Sequence, residues 1–470
     1  MIEDNLELDP FDFVSGFEAI KAENDSEKKQ KMLDDLNGLM RNFQENYLMT
    51  ARDFAQWGAY EDAVLVLKQC TKKYPMLYYY AAYYEEKMGE DEAAKKSLEK
   101  AESCAFDYCF PNKLDDIAVL TFAIENGCKK KAPYYLGNLF YDKLQWKKSV
   151  ELWEMSKKAD DTFSIVHRNL ALAYYNKMGD SKAAKRELEK AFSLNRKDAR
   201  IFLELDQLYK KLGYSFKERL AKYDEDPSLA ESRDDLYIEY ITLMNMCGEY
   251  ERAYRCIMGR RFHPWEGGEG KITTQYTISL LEMAKQCLAS EKYEQAEKLL
   301  KKALVYPENL GEGKLEGTKD NHLYYHLGLA LEAQGKYDEA KTCFETATIG
   351  TDEPAGAMYY NDQPADMILY QGLAFEKLGK TREAKSRFYR LIDYGEQHLN
   401  DEGKIEYFAV SLPDFLIFDE DYTKKNRAHC CYLMALGNIG LQNREKATEF
   451  LNEALEIEPS HMMATLYQKQ

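Results

Sequence analysis

The chain lacks the long apolar segments that a membrane-spanning helix needs. None of its 470 residues lies in an uninterrupted run that approaches the roughly 18 apolar residues of such a span. Basic residues are also in deficit, since 64 Lys and Arg face 81 Asp and Glu, for a net charge of −17. A protein that binds a phosphate backbone needs a basic surface. We therefore expect neither a membrane nor a nucleic acid as the partner.

Paired cysteine motifs are missing as well. The ten cysteines are scattered and none forms a C-x-x-C pair. Cys104 and Cys109 lie near each other, but no second pair completes a zinc site. The acidic N-terminal segment lacks the basic-then-apolar order of a signal peptide. We predict reduced thiols that are mostly buried, no metal site, no cofactor and a cytoplasmic location.

The strongest pattern that is present spans residues 321–354. It combines apolar stripes at helical spacing, a glycine where the chain must turn, and two small residues where helices must approach closely. The apolar stripes are formed by Leu327, Leu331 and Phe344. The glycine at the turn is Gly335, and the two small residues are Gly328 and Ala340. The pattern predicts a helix–turn–helix unit of about 34 residues, which cannot bury its apolar faces without neighbouring units.

The small residue of the second helix recurs along most of the chain. We place it at Ala63, Ala94, Ser149, Ala184, Glu218 (in a degenerate unit), Ala253, Ala296, Ala340, Ala384 and Ala447. The shorter steps are about 34 residues, and the longer ones contain insertions. The pattern resembles that of tetratricopeptide repeat (TPR) proteins. The resemblance implies an all-α fold of about ten helical hairpins, stacked as a right-handed solenoid.

The repeat spacing also predicts where domains and insertions lie. Residues 1–43 are expected to form an N-terminal helical cap and residues 44–470 the TPR solenoid, with an extra helix near 112–127. Loop insertions are expected near 262–276, 306–321, 348–364 and 393–426. All four fall at one point of the repeat, so they should lie along one edge. The loops 262–271, 306–321 and 348–364 are also expected to be ordered and to pack against each other. Long loops in compact domains are often functional.

Several strings resemble a narrower group of bacterial proteins. They are CFP at 109–111, APYYLGNL at 132–139, FHPWEGGEGK at 262–271 and NLGEGK at 309–314. In that group a galactose-mutarotase-like domain of unknown function precedes a C-terminal TPR array. The resemblance implies that this chain corresponds to the TPR array alone. A mutarotase-like β-domain, in the same or a neighbouring chain, is then an expected partner.

The loop edge carries the sharpest candidate site: His263, Trp265, Glu266, Glu269, Lys271, Glu312 and Lys314. A histidine, two carboxylates and an indole on a glycine-rich loop suit either docking of a partner or contact with a sugar. The Gly-Glu-Gly-Lys sequence occurs in two of the predicted loops, at 268–271 and at 311–314. This repetition favours a docking role that the two loops share. No catalytic residue is predicted.

The second candidate site is the inner face that TPR solenoids form from the first helix of each hairpin. The resemblance places Tyr134, Asn138, Tyr141, Arg168, Tyr175 and Asn176 there. His322 and His326 are four residues apart, but the glutamate of H-E-x-x-H is missing, which favours packing over metal binding. We predict a non-enzymatic scaffold that binds a peptide or protein partner. The alternative is an accessory module of a carbohydrate-active protein, with a glycan at the glycine-rich loop.

Overall fold

The structure is a computed structural model that describes residues 2–263, 265, 268–356, 363–403 and 416–469. The described residues form α-helices and one short 3-10 helix, with no strand among them. The predicted all-α class is confirmed. No β-domain lies in the described part of the chain, and nothing in the structure supports the expected link to a mutarotase-like domain. Two compact units, Met1–Leu194 and Asn195–Gln470, divide the chain.

Twelve helices make up the first unit. They are α1 (Ile2–Leu8), α2 (Phe13–Ala22), α3 (Ser26–Met40), α4 (Gln44–Gln56), α5 (Tyr60–Gln69), α6 (Pro75–Lys87), α7 (Asp91–Ser103), α8 (Leu114–Glu125), α9 (Lys131–Asp142), α10 (Trp146–Ala159), α11 (Ser164–Asn176) and α12 (Ser181–Leu194). Four hairpins pack within this unit: α4 with α5, α6 with α7, α9 with α10, and α11 with α12. Helix α8 is the extra helix that the sequence predicts near 112–127.

The second unit contains the remaining described helices. They are α13 (Ala199–Lys211), α14 (Phe216–Asp224), α15 (Pro227–Glu231), α16 (Asp234–Met246), α17 (Tyr250–Met258), α18 (Lys271–Ala289), α19 (Tyr293–Ala303), α20 (Asn321–Ala333), α21 (Tyr337–Ala347), α22 (Met367–Lys377), α23 (Thr381–His398), α24 (Tyr422–Gly440), α25 (Arg444–Ile457) and α26 (Met462–Gln468). The 3-10 helix is Glu308–Leu310. Six hairpins pack here, from α13 with α14 to α24 with α25, so the two units together hold the predicted ten.

The small-residue positions confirm the repeat register. Nine of the ten markers are the fourth residue of the second helix of a hairpin, as Ala340 is in α21. All nine are buried, with at most 5% of the side chain exposed. The first helix contributes a glycine at the same approach in several hairpins. A Cβ on Gly328 would lie 2.5 Å from the Phe344 ring, and one on Gly372 would lie 2.2 Å from the Phe388 ring.

The tenth marker is placed wrongly. Glu218 is the third residue of α14 and is exposed, because its carboxylate caps the helix through Ser215. The fourth residue is Arg219, which is 2% exposed. Its Nε and Nη2 donate to the two carboxylate oxygens of Asp206 at 2.8 and 2.7 Å. An ion pair fills the position that alanine or serine fills in the other hairpins.

The four predicted insertions share one location in the repeat. Each connects the second helix of one hairpin to the first helix of the next: α17 to α18, α19 to α20, α21 to α22, and α23 to α24. Six of the ten cysteines are buried, as expected of small apolar residues. Among the described residues, no helix combines the length and the apolar character that crossing a bilayer requires. Likewise, the described residues bring no three His, Cys, Asp or Glu side chains together around a common point.

His322 and His326 lie inside the second unit, on α20. His326 is 9% exposed and its Nδ1 donates to the His322 carbonyl at 2.7 Å. The Nδ1 atom of His322 is buried without a hydrogen-bond partner. Burial, together with the Lys285 ammonium on α18, lowers the pKa of both imidazoles to about 3. These histidines are neutral packing residues near neutral pH.

We expect Ala340→Leu to lower the free energy of unfolding by about 1–3 kcal/mol, because three added carbon atoms must fit where α20 and α21 touch. Thermal denaturation followed by circular dichroism measures the effect. Tyr337→Leu on the same helix is the matched control, since Tyr337 is 70% exposed. Equal melting temperatures for Ala340→Leu and the wild type would contradict the repeat register.

We also expect stability to fall on acidification. The unfolded chain protonates its histidines below their ordinary pKa of about 6.5, whereas folded His322 and His326 stay neutral until about pH 3. Stability is therefore lost as the pH falls from about 6.5, by roughly 2 kcal/mol per histidine between pH 7 and pH 5.

Urea denaturation at the two pH values tests this expectation. A chain with His322→Gln and His326→Gln should lose less stability on acidification than the wild type. Asp366, whose pKa burial raises to about 6, titrates in both chains and cancels in the comparison. The control is His263→Gln, since 79% of that side chain is exposed. Parallel pH dependences for the wild type and the double variant would contradict the assignment.

Candidate functional site

The first two insertions of the second unit pack against each other, and we call them the insertion pair (residues 259–270 and 304–320). The Gly270 N–H donates to Glu312 Oε2 at 2.9 Å. The Phe262 N–H donates to the Asn309 carbonyl at 2.8 Å. The Asn309 side chain returns hydrogen bonds to the Ile257 and Arg260 carbonyls, both at 2.9 Å. One backbone–backbone hydrogen bond and three bonds between side chain and backbone therefore join the described residues of the two insertions and the end of α17.

Three of the predicted loop-edge residues lie on the outside of the insertion pair. The His263 N–H donates to Asp234 Oδ2 at 2.9 Å, while its imidazole projects outward and is mostly exposed. Glu269 and Lys271 are exposed. Glu266 lies outside the described residues. Among the described contacts of this loop, none favours the carbohydrate alternative over docking.

The Trp265 side chain is half-buried and packs on its own loop. A Cβ on Gly268 would lie 2.1 Å from the indole, so only glycine fits under the ring. The Lys271 ammonium lies 5.9 Å from the ring centroid. The indole is therefore held in place and keeps part of its surface in contact with solvent.

Glu312 and Lys314 make hydrogen bonds within the insertion pair, and their place on a docking surface stays a prediction. Burial raises the pKa of Glu312, whose carboxylate accepts the Gly270 hydrogen bond. Lys314 Nζ donates to the Leu304 carbonyl at 2.9 Å and pairs with Asp320 at 2.5 Å. Both side chains are half-buried and help to hold the second loop in shape.

Hydrogen bonds hold the third insertion within itself and to α24, the first helix of a later hairpin. Gln363 accepts the Thr351 N–H at 2.9 Å and donates to the Thr351 carbonyl at 2.6 Å. His429 on α24 donates from Nε2 to the Ala355 carbonyl at 2.9 Å. Residues 357–362, and residues 404–415 of the fourth insertion, lie outside the described part. That all four insertions form one edge stays a prediction.

The groove residues of the first unit are largely involved in packing. Tyr134 is 6% exposed, with its ring 5.1 Å from that of Phe163, so it belongs to the core and its assignment to an open groove is corrected. Asn138 Oδ1 accepts hydrogen bonds from Trp153 Nε1 at 3.2 Å and Asn169 Nδ2 at 3.0 Å. It thereby ties α9, α10 and α11 together. The other four residues, Tyr141, Arg168, Tyr175 and Asn176, are half-buried.

A surface that the sequence analysis did not single out lies in the first unit, around residues 104–114. Tyr108, Phe110 and Leu114 are 88%, 66% and 80% exposed. Cys109, between the first two, is only 1% exposed. Contiguous exposed apolar side chains are unusual on a folded surface and mark interaction sites. The CFP string was the available signal, but the sequence does not tell which of its side chains points outward.

Hydrogen bonds to Asp116 hold this segment rigidly. Its Oδ2 accepts the backbone N–H groups of Asn112 and Lys113 at 2.8 and 2.9 Å. Its Oδ1 accepts the hydroxyl of Tyr80, on α6, at 2.6 Å. The segment is fixed to α6 and α8 on one side, while Tyr108 and Phe110 stand in solvent on the other.

The second loop of the insertion pair repeats this arrangement. Leu310, in its 3-10 helix, is fully buried. Val305 and Leu315, on either side of it, are 66% and 57% exposed. In both units, then, an insertion has a buried anchor in its middle and exposed apolar side chains beside that anchor.

Family models described as tetratricopeptide repeat match residues 169–198, 322–348, 366–394 and 428–461. Solved structures of similar fold include a TPR protein from Parabacteroides merdae (19% identity, 61% of this chain and 98% of that one, TM-score 0.26). The P58(IPK) TPR domain has 13% identity over 81% of this chain and 99% of that one, with a TM-score of 0.24. Naa15/Naa10 bound to HypK-THB has 14% identity over 88% of this chain and 58% of that one, with a TM-score of 0.32. The family-model matches by themselves show that the chain contains tetratricopeptide repeats at these four segments.

Proposed function

We propose that this chain is a protein-interaction scaffold whose partners dock on its insertions. Tetratricopeptide repeats, which the chain contains, support the general role of a scaffold. The finer proposal concerns where the partner binds. It rests on one observation, namely that insertions in both units are anchored by a buried residue and display large apolar side chains.

The energetic argument starts from the cost of ordering a loop. A flexible loop must lose conformational freedom when it binds, and that loss subtracts from the affinity. The loop at residues 104–114 is already ordered by Asp116 and by buried Cys109. Tyr108 and Phe110 therefore enter a partner at a low entropic cost, and aromatic side chains are frequent centres of binding energy.

The partner that fits this surface is a folded protein with an apolar pocket. Two aromatic rings on one short segment require a cleft that removes both from water. The acidic residues Asp107 and Asp115 are exposed next to the rings. The rim of the pocket is therefore expected to carry basic side chains, which would also speed association with a chain of net charge −17.

Site-directed photo-crosslinking in cells that make the protein tests this proposal. We expect p-benzoylphenylalanine in place of Phe110 to capture a partner that the same residue in place of Trp57 does not. Trp57 is the matched control, because it is 67% exposed against 66% for Phe110 and lies in the same unit. With the purified partner, Tyr108→Ser plus Phe110→Ser should weaken binding by about 2 kcal/mol or more, roughly 30-fold in Kd.

Two outcomes would overturn the proposal for this surface. One is identical crosslinking from positions 57 and 110. The other is an unchanged Kd for the double variant, with its circular dichroism spectrum also unchanged.

The insertion pair gives a separate expectation. Trp265→Ala should weaken binding of a partner that crosslinks from position 315 by about 2 kcal/mol or more, because the indole is held in place for contact. The helical signal should persist, since Trp265 packs within its own loop. Titration of the purified partner measures the effect, with Tyr337→Ala as the exposed control in the same unit. Equal Kd values for the two variants would restrict Trp265 to loop packing.

A further inference from the structure

The last described helix, α26, packs on helices that are distant from it in sequence. The Lys469 ammonium, directly after α26, donates to the Met246 carbonyl at the end of α16. On α18, Gln275 Nε2 donates to the Met462 sulfur at 3.4 Å. In a plain stack of hairpins each helix touches its sequence neighbours. Helix α26 packs on its neighbour α25 and also reaches back over more than two complete hairpins.

Two further first helices meet α26 on its other side. The Tyr467 hydroxyl donates to the Tyr370 hydroxyl, on α22, at 2.8 Å. The Tyr432 ring, on α24, lies 6.0 Å from the Tyr467 ring and 4.9 Å from the His461 imidazole. Helices α16, α18, α22 and α24 are the first helices of four different hairpins. All four contact α26 or a residue beside it, and we call their common surface the α26 site.

Apolar burial accounts for most of this contact. Leu466 is 3% exposed and packs with Met246 and Ile278, which are 2% and 6% exposed. Ala464 is fully buried and Tyr467 is 7% exposed. The α26 site therefore accepts one face of a short helix that presents a methionine, a leucine and a tyrosine.

Hydrogen bonds among the polar side chains of the α26 site hold them in place. One of these side chains, Gln275, finds only a weak hydrogen-bond acceptor on α26. Asn245 Nδ2 donates to Gln275 Oε1 at 3.0 Å, and the Ser279 hydroxyl donates to Asn245 Oδ1 at 2.9 Å. These bonds orient the Gln275 amide so that its Nε2 faces the Met462 sulfur. A thioether is a weak acceptor, so a carbonyl or carboxylate at this place would bind the amide more strongly.

Helix α26 has little helical stability of its own. Helix α26 has seven residues, and helices shorter than about 12 residues are marginal in water without tertiary contacts. It follows α25 through a short non-helical connection at 458–461, in which Pro459 is exposed. Opening of α26 requires rearrangement of this connection and leaves the six hairpins of the second unit packed.

We propose that the α26 site is a second interaction surface, specific for a short helix with the α26 pattern, and that α26 occupies it until a partner helix displaces it. The partner is a protein segment that carries Met, Leu and Tyr on one helical face and an acceptor for Gln275. Because the connection at 458–461 tethers α26 to the same chain, its effective concentration at the α26 site is about millimolar. This surface is distinct from the insertions and needs no assumption about their partners.

The full chain with Leu466→Asp and Tyr467→Ser tests this proposal, because a buried charge and a lost hydroxyl should release α26. The probe is a fluorescein-labelled peptide of residues 459–470, and its binding is followed by anisotropy. We expect one peptide to bind per variant chain. The wild type should bind it about 10- to 100-fold more weakly, because its tethered helix competes.

A peptide with the Leu466→Asp change is the control and should bind neither chain. If the variant keeps its helical circular dichroism but fails to bind the peptide, the proposal is overturned. Equal affinities of the variant and the wild type would also overturn it. A wild type that sediments as a dimer through exchange of α26 would overturn the assignment of α26 to its own chain.

Hydrogen exchange of the wild type covers the case in which the double variant does not fold. Displacement requires local opening, so the amides of 464–468 should exchange much faster than those in the middle of α24. Exchange of both segments at one common rate would mean that α26 leaves only when the unit unfolds, which overturns the proposal.

Discussion

The fold depends on how closely the two helices of each hairpin approach. A small residue at the fourth position of the second helix and, in several hairpins, a glycine on the first helix allow the contact, as Ala340 and Gly328 do for α20 and α21. An aromatic ring then fills the remaining space, and Phe344 lies where a Cβ on Gly328 would be. Because interiors are close-packed, this contact fixes the hairpin geometry that every later packing step inherits.

Helix α14 shows why the position of close approach could be located from the sequence in nine hairpins and not in the tenth. A small residue repeated at a steady offset is visible in the sequence. Arg219 at that offset is not, because its place in the interior depends on Asp206, thirteen positions earlier, on the facing helix. The pair is retained although buried ion pairs contribute little net stability. A local pattern cannot reveal a residue whose burial depends on a partner in another helix.

The candidate sites divide in a similar way. Sequence reasoning located the insertions, since they interrupt the repeat, but the orientation of their side chains depends on tertiary contacts. Lys314 turns towards Asp320 and the Leu304 carbonyl, so a residue that looked available holds the loop instead. Cys109 turns inward and leaves Tyr108 and Phe110 outside. Tyr108 has a φ of 56°, and neither this backbone conformation nor the burial of Cys109 can be read from the sequence.

These observations imply that the repeats and the segments between them serve different purposes. The hairpins use their small residues and rings to pack on one another, so their inner surfaces are largely committed, as Tyr134 and Asn138 are in the first unit. In the first unit, the surface for a partner is therefore expected on an insertion. The insertions and α26 both lie outside the repeat pattern. The insertions display apolar groups directly, whereas α26 covers a surface that the first helices cannot cover for one another, because it spans four hairpins.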